Sequence, residues 1–271
     1  MNTTPFADSG RSALSDWDAA LYLKFENERL QPARDLLARV EVASARAIVD
    51  LGCGPGTSVG LLAARYPDAA IIGVDSSAAM LATARKRLPA VTFEKLDIGA
   101  WRPKDAQDVI FANAALEWLP DHSTLLPRLF SYLAPGGALA IQMPDNRQEA
   151  SHVAMRMIAA DGPWTPRLLP IAKTRAVLDD YSDYHRWLRP IAHRVDIWQT
   201  TYIHALGGVD DIIDWFRGSA LRPYLDALDD CEREEFLTRY RRQLEDAYPR
   251  EPDGGVLFPY PRLFILARKA P

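Results

Sequence analysis

The chain has 271 residues, 48% hydrophobic and 25% charged, a globular balance that excludes a disordered or collagen-like protein. Its 32 Lys and Arg against 36 Asp and Glu leave a formal charge of −4, without the basic excess that usually accompanies nucleic-acid binding. No apolar run approaches the roughly 20 residues of a membrane span, and Met1 to Ser15 lacks the basic start and apolar stretch of a signal peptide. The expectation is a cytoplasmic protein with neither a nucleic-acid nor a membrane partner. The two cysteines, Cys53 and Cys231, are too few for a disulfide framework or a zinc site, so no metal is expected.

Residues 1–15 read as a disordered lead-in. Asp18 to Arg39 has helical spacing, with an interruption expected at Pro32. Ala47-Ile48-Val49-Asp50-Leu51 reads as a buried strand closed by Gly52-Cys53-Gly54-Pro55-Gly56, and Thr57 is placed to cap the next helix. A second strand, Ala70 to Val74, ends at Asp75, and Ser76 or Ser77 starts a helix that runs to Leu88 and stops at Pro89. Val91 to Leu96 and Asp108 to Ala112 are strands ending at Asp97 and Asn113. A helix from Ser123 to Leu133 stops at Pro135-Gly136-Gly137, and Ala138 to Met143 forms a fifth strand.

Strands and helices alternating through such short connections predict an α/β fold of parallel βαβ units, with a sheet covered on both faces. The pattern changes after Pro144. Residues 146–192 mix helical spacing with Trp and Tyr, Arg194 to His204 reads as a strand, and 209–248 is helical. Phe236, Tyr240, Leu244 and Ala247 share a packing face there, and Arg262 to Ala267 is the last strand. The expected organisation is a single domain over 16–271, with cap insertions at about 146–192 and 207–255.

The glycine loop is the most informative stretch. A nicotinamide site wants G-x-G-x-x-G, which sets a pyrophosphate at a helix N-terminus. Here the spacing is G-x-G-x-G, and no P-loop Lys-Ser/Thr follows. Asp50, two residues ahead of Gly52, suits a ligand with an ammonium group. Asp75 ends the next strand, where an acidic residue can accept hydrogen bonds from both ribose hydroxyls. Asp97 ends the strand after that and can accept from an adenine amino group. Each aspartate by itself could be a helix cap; three of them in this order beside the glycine loop argue for a ligand.

These residues resemble the S-adenosylmethionine site of the Rossmann-like (class I) methyltransferases, over roughly Ala47 to Pro144. The resemblance implies backbone contact to the methionyl part from Gly52 and Gly54, ribose binding by Asp75, and adenine binding by Asp97 and Ile98. It also implies a seven-stranded, mostly parallel sheet whose last strand is antiparallel. A second resemblance runs almost end to end. Asp16 to Phe25, Phe111 to His122, Gln142 to Asn146, Val195 to Tyr202 and Phe258 to Ile265 are similar to the trans-aconitate 2-methyltransferase family. That likeness implies methyl transfer from S-adenosylmethionine to a carboxylate of this tricarboxylate, leaving a monomethyl ester and S-adenosylhomocysteine. A carboxyl methyltransferase for a malonyl thioester on a carrier protein, and a non-catalytic S-adenosylmethionine-binding regulatory module, stay open at this point.

A carboxylate nucleophile is ionised at pH 7, since its ordinary pKa lies near ~4. No catalytic general base is required and none is assigned. What the reaction needs is alignment, exclusion of water and cationic groups that offset the desolvation of the acid. Ligands of open α/β sheets sit beyond the C-terminal ends of the parallel strands. Asn113 to Trp118 follow the fourth strand and face the donor, so Asn113 joins the donor-binding set. Gln142 and Tyr202 lie at strand ends on the same rim, and Arg262 comes up beside them at the start of an antiparallel strand. The substrate-binding candidates are therefore Tyr22, Trp118, Gln142, Tyr202 and Arg262, with Lys24 and Arg29 as weaker lid residues.

Overall fold

The computed structural model describes residues 24–174 and 178–271. The lead-in and the part of the first motif up to Leu23, Tyr22 included, lie outside the described residues. In chain order the elements are α1 (Glu26–Ala38), β1 (Ala47–Leu51), α2 (Thr57–Arg65), β2 (Ala70–Asp75), α3 (Ala78–Arg87), β3 (Thr92–Lys95) and β4 (Gln107–Asn113). A single 3-10 turn, Leu116–Trp118, leads into α4 (His122–Ser131) and β5 (Leu133–Pro144). The second half holds α5 (Ala150–Ala160), α6 (Thr165–Thr174), α7 (Tyr181–Leu188), β6 (Arg194–Leu206), α8 (Val209–Arg217), α9 (Arg222–Asp226), α10 (Asp230–Ala247) and β7 (Val256–Arg268).

Among the described residues, seven strands form one sheet in the order β3-β2-β1-β4-β5-β7-β6. The first five are parallel, and β7 runs antiparallel to both β5 and β6. Strand order reverses between β1 and β4, the switch point at which open α/β sheets bind ligands. β1, read as Ile-Val-Asp-Leu between two neighbours, is buried throughout its last four residues, as a central parallel strand must be. One face is covered by α1, α2 and α3 through Leu36, Leu62 and Leu81; the other by α4 and α7 through Leu129, Phe130, Tyr184 and Leu188.

Several boundaries differ from the sequence expectation. α1 continues through Pro32, which is buried with Ala33, Leu36 and Leu37 on the sheet side. Packing of that face outweighs the one lost backbone bond. Thr57 opens α2 and does not cap it: the N-cap is Gly56, left-handed at φ 85° with no side-chain bond. Ser77 does cap α3, accepting from Met80 N at 3.1 Å. α4 ends at Ser131, and β5 already starts at Leu133, where it pairs with Gln107 before the register shifts. The expected helix over 209–248 is three helices, broken after Arg217 and Asp226.

The largest departure is β7, which begins six residues before Arg262. β5 pairs with β7 only from Pro144↔Arg262 to Ala138↔Arg268, whereas β6 pairs with it all the way to Leu206↔Val256. The β6–β7 ladder therefore overshoots the sheet as a two-stranded ribbon. Its alternation is clean: His204, Leu206, Val256, Phe258 and Tyr260 are buried, while Ile203 and Leu257 are exposed. The buried side joins α5, α6, α8 and α10 in a separate apolar core around Trp164, Trp215, Phe216, Phe236 and Tyr240. α7 stands apart from that cap and packs on the sheet beside α4.

Candidate active site

At the C-terminal ends of β1, β2 and β4 lies a cavity of about 330 Å³. Gly52, Gly54, Asp75, Asp97, Ile98 and Asn113 all line it, so the structure brings six of the seven expected donor residues together. The loop is held tightly: Gly52 N and Cys53 N both donate to Val74 O, at 2.8 and 3.0 Å. Gly52 sits at φ 74°, and a Cβ placed there would stand 2.3 Å from Ala115 Cβ. Only glycine lets the loop approach the segment after β4 so closely. Ala114, at φ 53°, carries the matching strain on the facing side and is anchored by Ala114 N to Gln142 O at 2.9 Å.

Asp75 Oδ2 accepts from Gly54 N at 2.9 Å and Oδ1 from Ser77 N at 2.8 Å, so the carboxylate is fixed between the loop and the start of α3. Each carboxylate oxygen has two lone pairs, which leaves acceptor capacity for a ligand diol. Asp97 Oδ1 accepts from Gly99 N at 2.6 Å in a tight turn after β3. Asn113 Oδ1 is buried without a hydrogen-bond partner among the described residues, the mark of a group waiting for a ligand.

Asp50 stands apart from the other six. It is fully buried and outside the cavity lining; its Oδ2 accepts from Ser58 Oγ at 2.5 Å, and its Oδ1, like that of Asn113, has no hydrogen-bond partner among the described residues. Burial pushes its carboxyl up to about 7, with Asp75 adding to the rise and Ser58 opposing it. It ties the end of β1 to the start of α2 and is not an exposed counterion for an ammonium group.

The acceptor candidates spread along the neighbouring rim. Trp118 lines the same cavity and is 42% exposed. Gln142 and Arg262 are both buried, and Arg262 Nη1 donates to Gln142 Oε1 at 3.2 Å. The guanidinium lies 4.4 Å from the centre of the Tyr260 ring. Because β4 and β5 pair Asn113 with Gln142, these side chains leave the same face of the sheet. Tyr202 is near, its ring parallel to His204 at 6.2 Å, but its hydroxyl donates to Asp35 Oδ2 at 2.6 Å. That bond ties the ribbon to α1.

Sequence reading did not single out four residues placed here. Arg222, Ser219 and Pro223 line this cavity from the cap, and Trp215 packs beneath the ribbon. Nothing local marks them: they reach the site only because the cap folds over the sheet. His122, within the motif after β4, is structural. Its Nε2–H donates to Leu116 O at 2.9 Å, so Nδ1 accepts from Tyr184 Oη at 2.8 Å, and the loop is pinned to α7. Neither a metal-binding cluster nor a membrane-crossing helix occurs among the described residues.

Comparison with known proteins agrees with this layout. Residues 48–137 match the family described as "Methyltransferase domain". Trans-aconitate 2-methyltransferase of Methylobacterium nodulans is 54% identical over 256 residues, covering 94% of this chain and 99% of that protein. The enzyme of the same name from Paracidovorax citrulli is 49% identical, covering 95% of this chain and 100% of that protein. Among solved structures, Haemonchus contortus phosphoethanolamine N-methyltransferase 2 in complex with S-adenosyl-L-methionine is similar in fold. It has a TM-score of 0.58 and 14% identity, covering 93% of this chain and 57% of that one. The YcgJ protein of Bacillus subtilis has a TM-score of 0.56 and 14% identity, over 88% and 98% of the two chains.

Proposed function

The chain belongs to the trans-aconitate 2-methyltransferase family, and from that premise we propose how its own residues carry out S-adenosylmethionine-dependent methylation of a carboxylate of trans-aconitate. The donor cavity fits the nucleoside-sulfonium donor on three observations: the open space beside Gly54, the fixed Asp75 carboxylate, and the orphaned Asn113 Oδ1. When bound there, S-adenosylmethionine supplies a methyl group on a positively charged sulfur. Gly52 and Gly54 present backbone to the methionyl part, Asp75 receives the ribose hydroxyls, Asp97 and Ile98 hold the adenine, and Asn113 faces the amino-acid end. Asp50 ties the end of β1 to the start of α2.

The acceptor carboxylate brings its own electron pair, so the chain need not remove a proton. Its work is to hold that oxygen in line with the methyl carbon and keep water out; alignment of this kind is worth roughly 7–11 kcal/mol of barrier. Arg262, oriented by Gln142, grips one carboxylate with its planar fork. Trp118 covers the acceptor from the cavity rim, and Tyr202 fixes the wall through Asp35. The observation that carries this reading is the Arg262–Gln142 pair, buried on the same sheet face as Asn113 of the donor cavity. Identity over nearly the whole chain does not favour the carrier-protein or regulatory alternatives.

We take residues 16–271 as one methyltransferase domain carrying cap insertions at about 146–192 and 207–255, supported by the separate cap core. We place it in the cytoplasm, acting on a small acid without nucleic-acid or membrane partners; the net charge of −4 and the free thiols of Cys53 and Cys231 support this. Mass spectrometry of a reaction with labelled donor and a panel of di- and tricarboxylic acids tests the activity. Label should enter a monomethyl ester of trans-aconitate; label found in none of the acids, or only in a carrier-bound thioester, would overturn it.

A further inference from the structure

Two guanidinium groups, not one, press on a single buried histidine at the acceptor wall. Arg29, on α1, donates from Nη2 to Trp215 O at 2.8 Å, and its Cζ lies 4.6 Å from the centre of the Trp215 ring. The His204 ring tilts against that same indole at 5.0 Å and lies 6.2 Å from Tyr260, the ring on which Arg262 rests. Burial first, then Arg262 and Arg29, push the His204 imidazole down to about 4. His204 is therefore neutral, adding polarity to the wall without adding a third charge.

Three buried nitrogens of this wall have no hydrogen-bond partner among the described residues: Gln142 Nε2, Trp215 Nε1 and His204 Nε2. An indole nitrogen and an amide nitrogen can only donate. Orphaned buried donors are rare in native proteins, and here they accompany two cations. A ligand that satisfies all of them offers acceptors and negative charge, which describes carboxylate oxygens. The groups are also spread along the ribbon: Arg262 pairs with Thr200, four residues from His204 and about 13 Å along the strand. Gln142 and Arg262 lie where β7 leaves β5, whereas Arg29, His204 and Trp215 lie where the ribbon meets α1 and α8.

We propose that Arg29, His204 and the Trp215 indole N–H form a second carboxylate subsite beside the Arg262–Gln142 pair, and that this doubled wall selects acceptors carrying at least two carboxylates. The inference rests on the methyltransferase reading above and adds the specificity element to it. Two carboxylates of the acceptor are held, one at each subsite, and the remaining one is left to face the donor. An acid with a single carboxylate fills only part of the wall and leaves the other set of buried donors without an acceptor.

The test compares trans-aconitate with mono- and dicarboxylate analogues of similar size. Trp215→Phe keeps the ring and its packing but removes the N–H. It should raise KM for the tricarboxylate about tenfold, with kcat changed less. Arg29→Gln should raise that KM about a hundredfold, and Arg29→Lys should recover part of the loss. In each variant the preference for the tricarboxylate over the monocarboxylate should shrink by a similar factor. Calorimetric binding of S-adenosylhomocysteine, retained in each variant, reports an intact fold. Equal penalties for all three acids, or a loss of donor affinity that matches the loss of activity, would make Arg29 and Trp215 packing residues and overturn the subsite. If the wild type methylates none of the acids, the methyltransferase reading has failed. Titration of the donor-product complex with the same acids then decides the subsite alone, which stands only if Trp215→Phe weakens tricarboxylate binding.

Discussion

The donor half and the acceptor half of this molecule are built on opposite plans. The proposed donor-binding residues come from a short span, Asp50 to Asn113, and sit where consecutive parallel strands end, although the cap also reaches their cavity. The proposed acceptor wall gathers Arg29, Gln142, His204, Trp215, Tyr260 and Arg262; the Arg262–Gln142 bond spans 120 residues of sequence and the Arg29–Trp215 bond 186. The donor half is thus specified by local backbone geometry, and the acceptor half by packing of distant elements. Damage should differ accordingly: in the first it falls on donor affinity, in the second on acceptor selectivity.

The sharpest test of the donor half is Gly52→Ala. The new methyl meets Ala115 Cβ at 2.3 Å in a backbone already at φ 74°. Strain and overpacking together amount to roughly 4 kcal/mol, so donor affinity should fall about a thousandfold. Calorimetry with S-adenosylhomocysteine measures it, and an effect under tenfold would show that the loop has room to give.

Arg262→Ala probes the opposite half. Removing a buried, hydrogen-bonded charge should raise KM for trans-aconitate about a hundredfold, with Lys restoring part of the loss. Donor affinity should stay close to wild type. If donor and acceptor constants move together, the two halves are not separable.

Asp75→Ala removes the carboxylate that bridges Gly54 N and Ser77 N. Unpaired ribose hydroxyls and a loosened loop should cost about 2 kcal/mol, a roughly thirtyfold loss of donor affinity. Steady-state kinetics at saturating donor should then leave the ranking of acceptor acids unaltered.

The smallest effect is a stability term from the wall. His204 is depressed from 6.5 to about 4 in the folded protein. A depressed histidine contributes its full stability above pH 6.5 and loses it as pH falls toward 4, because the unfolded chain binds the proton first. Replacing it with Gln should abolish that dependence. Denaturant titration should find wild type losing about 1 kcal/mol relative to His204→Gln between pH 7 and 5.5. An identical pH slope for both proteins would place the ring in contact with solvent.

Much of the donor half could be read in the chain itself, and the reason is the short range of its causes. A strand of four buried residues, a turn that needs positive φ at Gly52, Gly54 and Gly56, and an acid at the next strand end are each written within a few neighbouring residues. The order of these signals implies the parallel sheet and its ligand rim. Asp50 was the exception there, since spacing places it near the loop while only depth in the fold decides that it lies buried and out of the cavity.

The acceptor half was decided by tertiary structure. Arg262 reads as the start of the last strand, yet the long β6 partner carries β7 six residues further and turns the excess into a ribbon. That overshoot buries Tyr260 and His204 against α8 and brings Trp215 and Arg29 to the wall. No local periodicity encodes such a meeting. It depends on the relative lengths of paired strands and on a cap core that forms only when α5, α8 and α10 close over them, which is why the chemistry of the acceptor was visible in residue types but its geometry was not.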